Sequence, residues 1–240
     1  MKSNVQAWSK DMYGDRGEAT APALWQALHG HSRFRPRYPS EEVVRFLASS
    51  GYTNILSRGL DYGCGAGRHL NVLHEFGYQP YGYDVSQVAL DYAAKTCPIA
   101  TLLAGGVHKY QCYFNVAIAH GSLYYASKKH LVANIATIKL CLKRGAKFFC
   151  TLKPTCDKRL YLPDNEQLGE GCVRLVSNAT NEAGMVMCFL TRDEVAGVFC
   201  KWNDVQVQLR TVGSGRDTPF AADDPDNRSM ECDWLVTARS

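Results

Sequence analysis

Leu60-Asp61-Tyr62-Gly63-Cys64-Gly65-Ala66-Gly67-Arg68 is the stretch that decides how this chain is read. An acid ends a short apolar run, and three glycines follow at alternating positions. A second acid, Asp84, ends the next apolar run. A strand that turns into a helix through glycines lets backbone come close to a ligand. An acid about 20 residues further on is placed to accept hydrogen bonds from ribose hydroxyls, and Asp84 stands close to that spacing from Gly63. The phase of the glycines separates cofactor classes. The dinucleotide pattern G-x-G-x-x-G/A needs a small residue where this chain has Arg68, and the third glycine, Gly67, arrives one position early. This points to an adenosine cofactor without a pyrophosphate and disfavours a nicotinamide dehydrogenase.

The bulk numbers agree with a folded enzyme-sized unit. At 240 residues with 46% apolar content the chain is expected to form one domain with an elaboration. A net charge of +4 is too mild to argue for nucleic acid. None of the ten cysteines forms a C-x-x-C pair or stands at finger spacing from a histidine, so no zinc site and no disulfide framework is expected. The first residues lack the apolar core of a signal peptide, and no run reaches the length of about 18 needed to span a membrane. A soluble, cytoplasmic protein is the expectation.

Pattern along the chain predicts repeated strand–helix units and hence a largely parallel sheet. Ser40-Glu41-Glu42 opens a helix that stops at Gly51. Strands are predicted within 54–62, 78–83, 99–103, 113–120 and 147–152, the last after a turn at Gly145. Helices are predicted over 68–76, 87–95 and 128–142. Beyond Lys153 the pattern changes. Residues 172–177 and 185–190 read as a hairpin, Thr191-Arg192-Asp193-Glu194 as a capping box, and 204–212 and 234–238 as strands around a polar loop.

Three segments together resemble the class I S-adenosylmethionine (SAM)-dependent methyltransferases: Leu60–Gly67, Gly82-Tyr83-Asp84-Val85-Ser86, and Tyr113–Tyr125. A looser likeness is Leu142-Lys143-Arg144-Gly145-Ala146, where the family reads Leu-Lys-Pro-Gly-Gly. The resemblance implies an α/β, Rossmann-like, seven-stranded, mostly parallel sheet with helices on both faces and an antiparallel last strand. It also implies SAM at the carboxyl ends of the first strands. A single domain over 1–240 is expected, with a helical N-terminal lid in 1–39 and a late β-hairpin insertion on the substrate side in 153–190.

Residue roles follow from that resemblance. Gly63, Gly65 and Gly67 would shape the turn and leave free N–H groups for the methionine carboxylate. Asp61 would orient the loop and the methionine ammonium, Asp84 would hold the ribose, and Val85 would pack on adenine. The Asp84-Val85-Ser86 segment could instead be only a helix N-cap. No acid stands in Leu103–Val107, so backbone at Gly106 and Val107 is left to recognise adenine, and Asn115 replaces a common aspartate as a structural residue. His120 is the candidate nearest the transferred methyl, as general base, cofactor contact or structural group. Tyr124 and Tyr125 would line the substrate pocket, meet the sulfonium by cation–π contact, or belong to the core. Arg33, Arg35 and Arg37 would grip a carboxylate or remain a solvated basic loop, while Trp8, Tyr13 and Trp25 would form the lid's apolar face.

The chain lacks the Asn/Asp-Pro-Pro-aromatic motif of nucleobase amino methyltransferases and a Pro-Cys nucleophile. The leading expectation is methylation of N or O on a small metabolite, such as a sugar, amino acid or natural-product intermediate. An RNA or protein methyltransferase and a non-catalytic SAM-binding partner are the alternatives. The oligomeric state stays open.

Overall fold

The computed structural model describes residues 21–51, 57–176, 182–212 and 231–240. Trp8, Tyr13, the predicted hairpin tip and the loop after 212 lie outside the described residues. Two helices, α1 (Ala21–Gly30) and α2 (Glu41–Ser50), come before the sheet. Strands β1 (Arg58–Tyr62), β2 (Gln79–Tyr83), β3 (Thr101–Leu102), β4 (Phe114–Ala119) and β5 (Leu142–Pro154) then alternate with α3 (Leu70–Glu75), α4 (Gln87–Thr96) and α5 (Lys128–Cys141). The last part holds β6 (Glu166–Gly169), β7 (Cys172–Arg174), β8 (Val186–Leu190), α6 (Arg192–Val198), β9 (Asn203–Val212) and β10 (Glu231–Arg239).

Strand β1 pairs in parallel with both β2 and β4, β2 with β3, and β4 with β5. Strand β10 runs antiparallel to β5 and to β9. The order is therefore β3-β2-β1-β4-β5-β10-β9, a seven-stranded sheet with one reversed strand, the last in sequence. The chain reverses its direction of travel across the sheet between β1 and β4. At such a switch point the connections leave to opposite sides and open a crevice beyond the strand ends.

Both sheet faces are covered, and the alternation of strand side chains decides which helix each residue meets. Phe149 faces α2, α3 and α4, where it joins Val43, Leu47, Leu70, Leu73 and Leu90. Its neighbour Phe148 faces the other way, among Leu131, Ile135, Val195 and Phe199 from α5 and α6. The helix starts follow the local chemistry. Ser40, Ser86 and Ser127 each accept the third backbone N–H of the helix they precede. Thr191 and Glu194 form the reciprocal capping box.

Two elements differ from the sequence pattern. Gly145 does not turn the chain before β5. The strand starts at Leu142, and the register steps from Phe114↔Leu142 to Val116↔Lys147. The extra residues form a bulge, and Gly145 at φ 75° supplies the left-handed residue it needs. The predicted hairpin is present as antiparallel β7 and β8, with a third strand, β6, on its far side. Every residue of β6 is exposed, so its pairing has no apolar alternation to announce it. This ribbon joins the carboxyl end of β5 through Lys153↔Phe189 and Pro154↔Leu190.

Phe148 is fully buried and stacks 5.1 Å from Trp202. Phe148→Ala is expected to lower unfolding free energy by about 3–5 kcal/mol, read as a shift in the urea midpoint at unchanged slope.

Candidate active site

The carboxyl ends of β1, β2 and β4 carry the glycine turn, Asp84 and His120. The turn is held from inside. Gly63 and Cys64 both donate their N–H groups to the Tyr83 carbonyl, at 2.7 and 2.9 Å. Gly65 N–H donates to Asp84 Oδ2 at 2.9 Å, and Gly67 N–H to the Cys64 carbonyl at 2.9 Å. The expectation that the three glycines leave free N–H groups is thus corrected, because Gly63 and Gly65 donate to the second strand end and Gly67 donates within the turn. Their conformations explain the residue type. All three have positive φ, and a Cβ on Gly63 would sit 2.2 Å from Ser122 Cβ. A Cβ on Gly67 would stand 3.1 Å from the Ala93 backbone, so this glycine lets α4 come close.

Asp84 is buried. Its Oδ1 accepts from Ser86 N–H at 2.9 Å, while Ser86 itself caps α4. Asp84 is therefore not the helix cap. Burial raises its carboxyl pKa against the two N–H donors and His29, which lower it. His29, on α1, is the cover over this corner. Its Nε2 lies 3.7 Å from where a Cβ on Gly65 would be, and its Nδ1 has no partner among the described residues. Burial lowers its pKa, with Asp84 opposing. Trp25, one turn earlier, stacks on His29 at 5.4 Å and meets the edge of Tyr125 at 4.8 Å.

Asp61 is the penultimate residue of β1, with 1% of its surface exposed, and neither carboxylate oxygen has a hydrogen-bond partner among the described residues. A buried unpaired carboxylate is costly and marks a place where a cation or donor belongs. Its nearest neighbour is His69 Nδ1 at 3.7 Å. Ser40 N–H donates to His69 Nε2 at 3.2 Å, which assigns the ring proton to Nδ1 and turns it toward Asp61.

His120, just beyond β4, is built into the same cluster. Arg68 Nη2 lies 3.0 Å from His120 Nδ1, and arginine can only donate, so that lone pair is occupied. The ring proton then sits on Nε2, which is buried, without a hydrogen-bond partner, and 4.0 Å from Glu42 Oε2. Burial, then the Arg68 charge and His69, push the His120 pKa down to about 3. The imidazole is neutral across the physiological range.

Beyond His120 a chain of charges crosses the crevice. Glu42 pairs with Arg210, which also holds Asp233 Oδ2 at 2.5 Å. Lys153 joins Asp233 at 2.6 Å and Asp157 at 3.3 Å. Arg159 links Asp157 at 3.0 Å to Glu182 at 3.3 Å, and Glu182 accepts from the Tyr125 hydroxyl. Burial opposes the charge on Lys153, yet Tyr124, Asp233 and Asp157 outweigh it and raise its pKa. Tyr124 is a core residue with Lys153 Nζ 5.3 Å from its ring centre. Sequence reading did not foresee this network: it took Glu42 only as a first-turn acid of α2 and did not single out His69 or Arg210. The legible signal was Lys153, a lone cation ending the apolar run Phe148–Leu152.

The remaining nominated residues divide. Val85 is exposed beside Asp84. Val107 buries its side chain in the core and Gly106 takes φ 89°, so only their backbone is available to a ligand. Arg35 donates to the carbonyls of His29 and Gly30 at 2.5 and 3.1 Å and covers the Tyr92 ring, so it ties down the end of α1. Asn115 Oδ1 accepts from Arg58 N–H at 3.0 Å and Lys143 at 3.2 Å, a structural role.

A sheet of this order with a glycine turn and two strand-end carboxylates at its switch point defines a nucleoside-cofactor enzyme of the Rossmann-like methyltransferase class. The family model for the methyltransferase domain matches residues 31–200, and the chain belongs to that family as a class I SAM-dependent methyltransferase. SAM is its cofactor. The fold is similar to a SAM-dependent methyltransferase of Methanosarcina mazei, at 17% identity and TM-score 0.57, covering 79% of this chain and 94% of that one. It is also similar to the 1,6-didemethyltoxoflavin-N1-methyltransferase of Burkholderia thailandensis, solved with 1,6-didemethyltoxoflavin and S-adenosylhomocysteine. That match has 15% identity and TM-score 0.58 and covers 94% and 93% of the two chains. A third is the methyltransferase in complex with the Trm112 activator from Haloferax volcanii, at 14% identity, TM-score 0.60 and coverage of 90% and 96%. No curated protein matches this sequence. No helix among the described residues is long and apolar enough to cross a membrane.

Gly63→Ala is expected to abolish SAM binding and lower the melting temperature, because the new methyl meets Ser122 and φ 79° is strained. Adding Ser122→Gly should recover part of the stability but not all, since the backbone strain remains. Calorimetric titration and thermal melts of both variants check this.

Proposed function

We propose that the enzyme transfers a methyl group from SAM to an N or O atom of a small molecule. The observation that carries the assignment of the site is Asp61, a buried carboxylate with neither oxygen hydrogen-bonded among the described residues, at the switch point beside the glycine turn. It fits the methionine ammonium, and Arg68 on the same turn fits the methionine carboxylate. Asp84 retains lone pairs beyond those given to Ser86 and Gly65 and accepts the ribose hydroxyls. Val85 lies against adenine, with the backbone of Gly106 and Val107 at its edge. The bound cofactor supplies a methyl on a sulfonium, ready for in-line displacement.

The chain's own contribution is alignment and exclusion of water. His120 is neutral and its Nδ1 is engaged by Arg68, so it serves as a donor through Nε2–H and a positioning group rather than as a free base. Tyr124 braces Lys153 under the pocket. Segment 1–39 acts as the lid and 153–190 as the substrate-side wall of a single domain. Helix α1 rests on the glycine turn through His29 and must give way as the nucleoside enters.

A small acceptor is supported by the aromatic and charged groups beside the glycine turn, where Trp25 meets the edge of Tyr125 and the Tyr125 hydroxyl donates to Glu182. The Burkholderia enzyme, solved with the small molecule 1,6-didemethyltoxoflavin bound, supports the same reading. An RNA track along Arg33–Arg37 is less well supported, because Arg35 is spent on the end of α1.

Two experiments test this. Asp84→Ala is expected to weaken SAM affinity by a few kcal/mol, about 1.5–3 for a lost charge-assisted pair; unchanged affinity removes Asp84 from the site. With SAM held constant, turnover of a panel of sugars, amino acids and heteroaromatic amines is compared with turnover of tRNA and of protein. Methylation confined to tRNA or protein refutes the small-molecule reading.

The low His120 pKa also predicts a pH dependence. The unfolded imidazole titrates near 6.5 and the folded one at about 3, so between those values the unfolded chain binds the extra proton. Stability therefore falls as pH drops through that window, with a slope of up to about 1.4 kcal/mol per pH unit from this group. Urea unfolding between pH 7 and 4 should show that component in the native chain and lose it in His120→Gln.

A further inference from the structure

Between Asp91 and Asp157 the chain contains no acidic residue, yet it carries nine lysines and arginines. Lys95 lies on α4 and Lys153 is buried; the others fall on α5, on the loop before β4 and on the first half of β5. Lys109, Lys129 and Arg144 are exposed there, with Lys139 and Lys143 half-buried beside them. Among the described residues Lys128 is the one cation of α5 paired with an acid, Glu194. The same helix turns apolar side chains outward. Leu140 is 66% exposed and Val132 42%, with Ala133 and Ala136 exposed between them. These positions share one side of a helix. Next to them lies a groove of about 440 Å³ lined by Cys112, Ala136, Lys139, Leu140, Leu142, Arg144 and Ser240.

We propose that this face docks an acidic, amphipathic segment of another protein, its apolar side in the groove and its carboxylates against the lysine and arginine rim. Charge complementarity selects the occupant. A second copy would bring the same uncompensated cations face to face. A bilayer is flat and does not fill a concave groove. RNA gains by stacking on aromatic rings, and the groove lining contains none. An apolar strip about two helical turns long flanked by cations matches the helix-in-groove mode of recognition. The groove lies at the amino-terminal end of β5, whereas the candidate active site lies at the carboxyl ends of β1, β2 and β4. The partner thus binds without entering the crevice, and the proposal stands or falls separately from the methyl acceptor.

The test uses the full chain as bait for a random helical-peptide display library, with SAM present. The sequences retained should be acidic and carry apolar residues at i, i+3 or i+4, and i+7. A synthesised winner should bind Leu140→Glu and the double variant Lys129→Glu/Arg144→Glu about tenfold or more weakly. SAM affinity and melting temperature should not change. Retained peptides without an acidic bias, or equal binding to the variants, overturn the proposal. So does a native dimer in sedimentation that Leu140→Glu dissociates. Poly(U) RNA or phosphatidylserine vesicles bound more tightly than the peptides, and lost in the charge-reversal variant, also overturn it.

Discussion

The Tyr83 carbonyl accepts two N–H groups from the turn after β1, and the Asp84 carboxylate accepts a third. These three bonds tie the end of the first strand to the end of the second, and the crevice exists because they hold. A turn at φ near 80° has no helix or sheet of its own to satisfy its donors. Buried donors left unmade would each cost on the order of 1–3 kcal/mol. The second strand end satisfies them instead, and in doing so sets Asp84 beside the turn. The Asp84 carboxylate is thereby held in place by the fold itself.

The same economy explains why Arg68 is not a small residue. In a dinucleotide fold that position must be small so that helix and strand can approach. Here Gly67, one residue earlier, provides the close approach to Ala93. The next side chain is then free to reach across to β4, and it does so through His120. A single-residue shift in glycine phase thus converts a packing position into a polar contact between the cofactor turn and the end of β4.

The charged chain from Glu42 to Glu182 is a different kind of feature. Buried pairs of this sort contribute little net stability, because desolvation offsets their attraction. Their effect is geometric. Lys153 is placed by two carboxylates and the Cys232 carbonyl, and Arg210 by Glu42 and Asp233. These residues come from α2, β5, β9, β10 and the segment after β5. The network therefore fixes how the late strands and the ribbon meet the core.

Local chemistry was readable without coordinates wherever neighbours in sequence decide the outcome. Ser40, Ser86 and Thr191 cap helices because the partner N–H lies three residues on. The glycine turn and Asp84 announce a nucleoside site because their spacing follows from one strand–helix–strand unit. Strand β6 was not readable, since its pairing rests on backbone alone, and neither was the bulge at Gly145, which depends on the register with β4. The states of His120 and Asp61 belong to tertiary structure entirely. Burial by distant segments and Arg68, 52 positions away in sequence, keep His120 neutral, and the same kind of burial encloses Asp61 without a hydrogen-bond partner among the described residues. Sequence determines which groups are available and how nearest neighbours arrange them. Desolvation and charge between distant segments decide what those groups can do, because both depend on distances that only the folded chain sets.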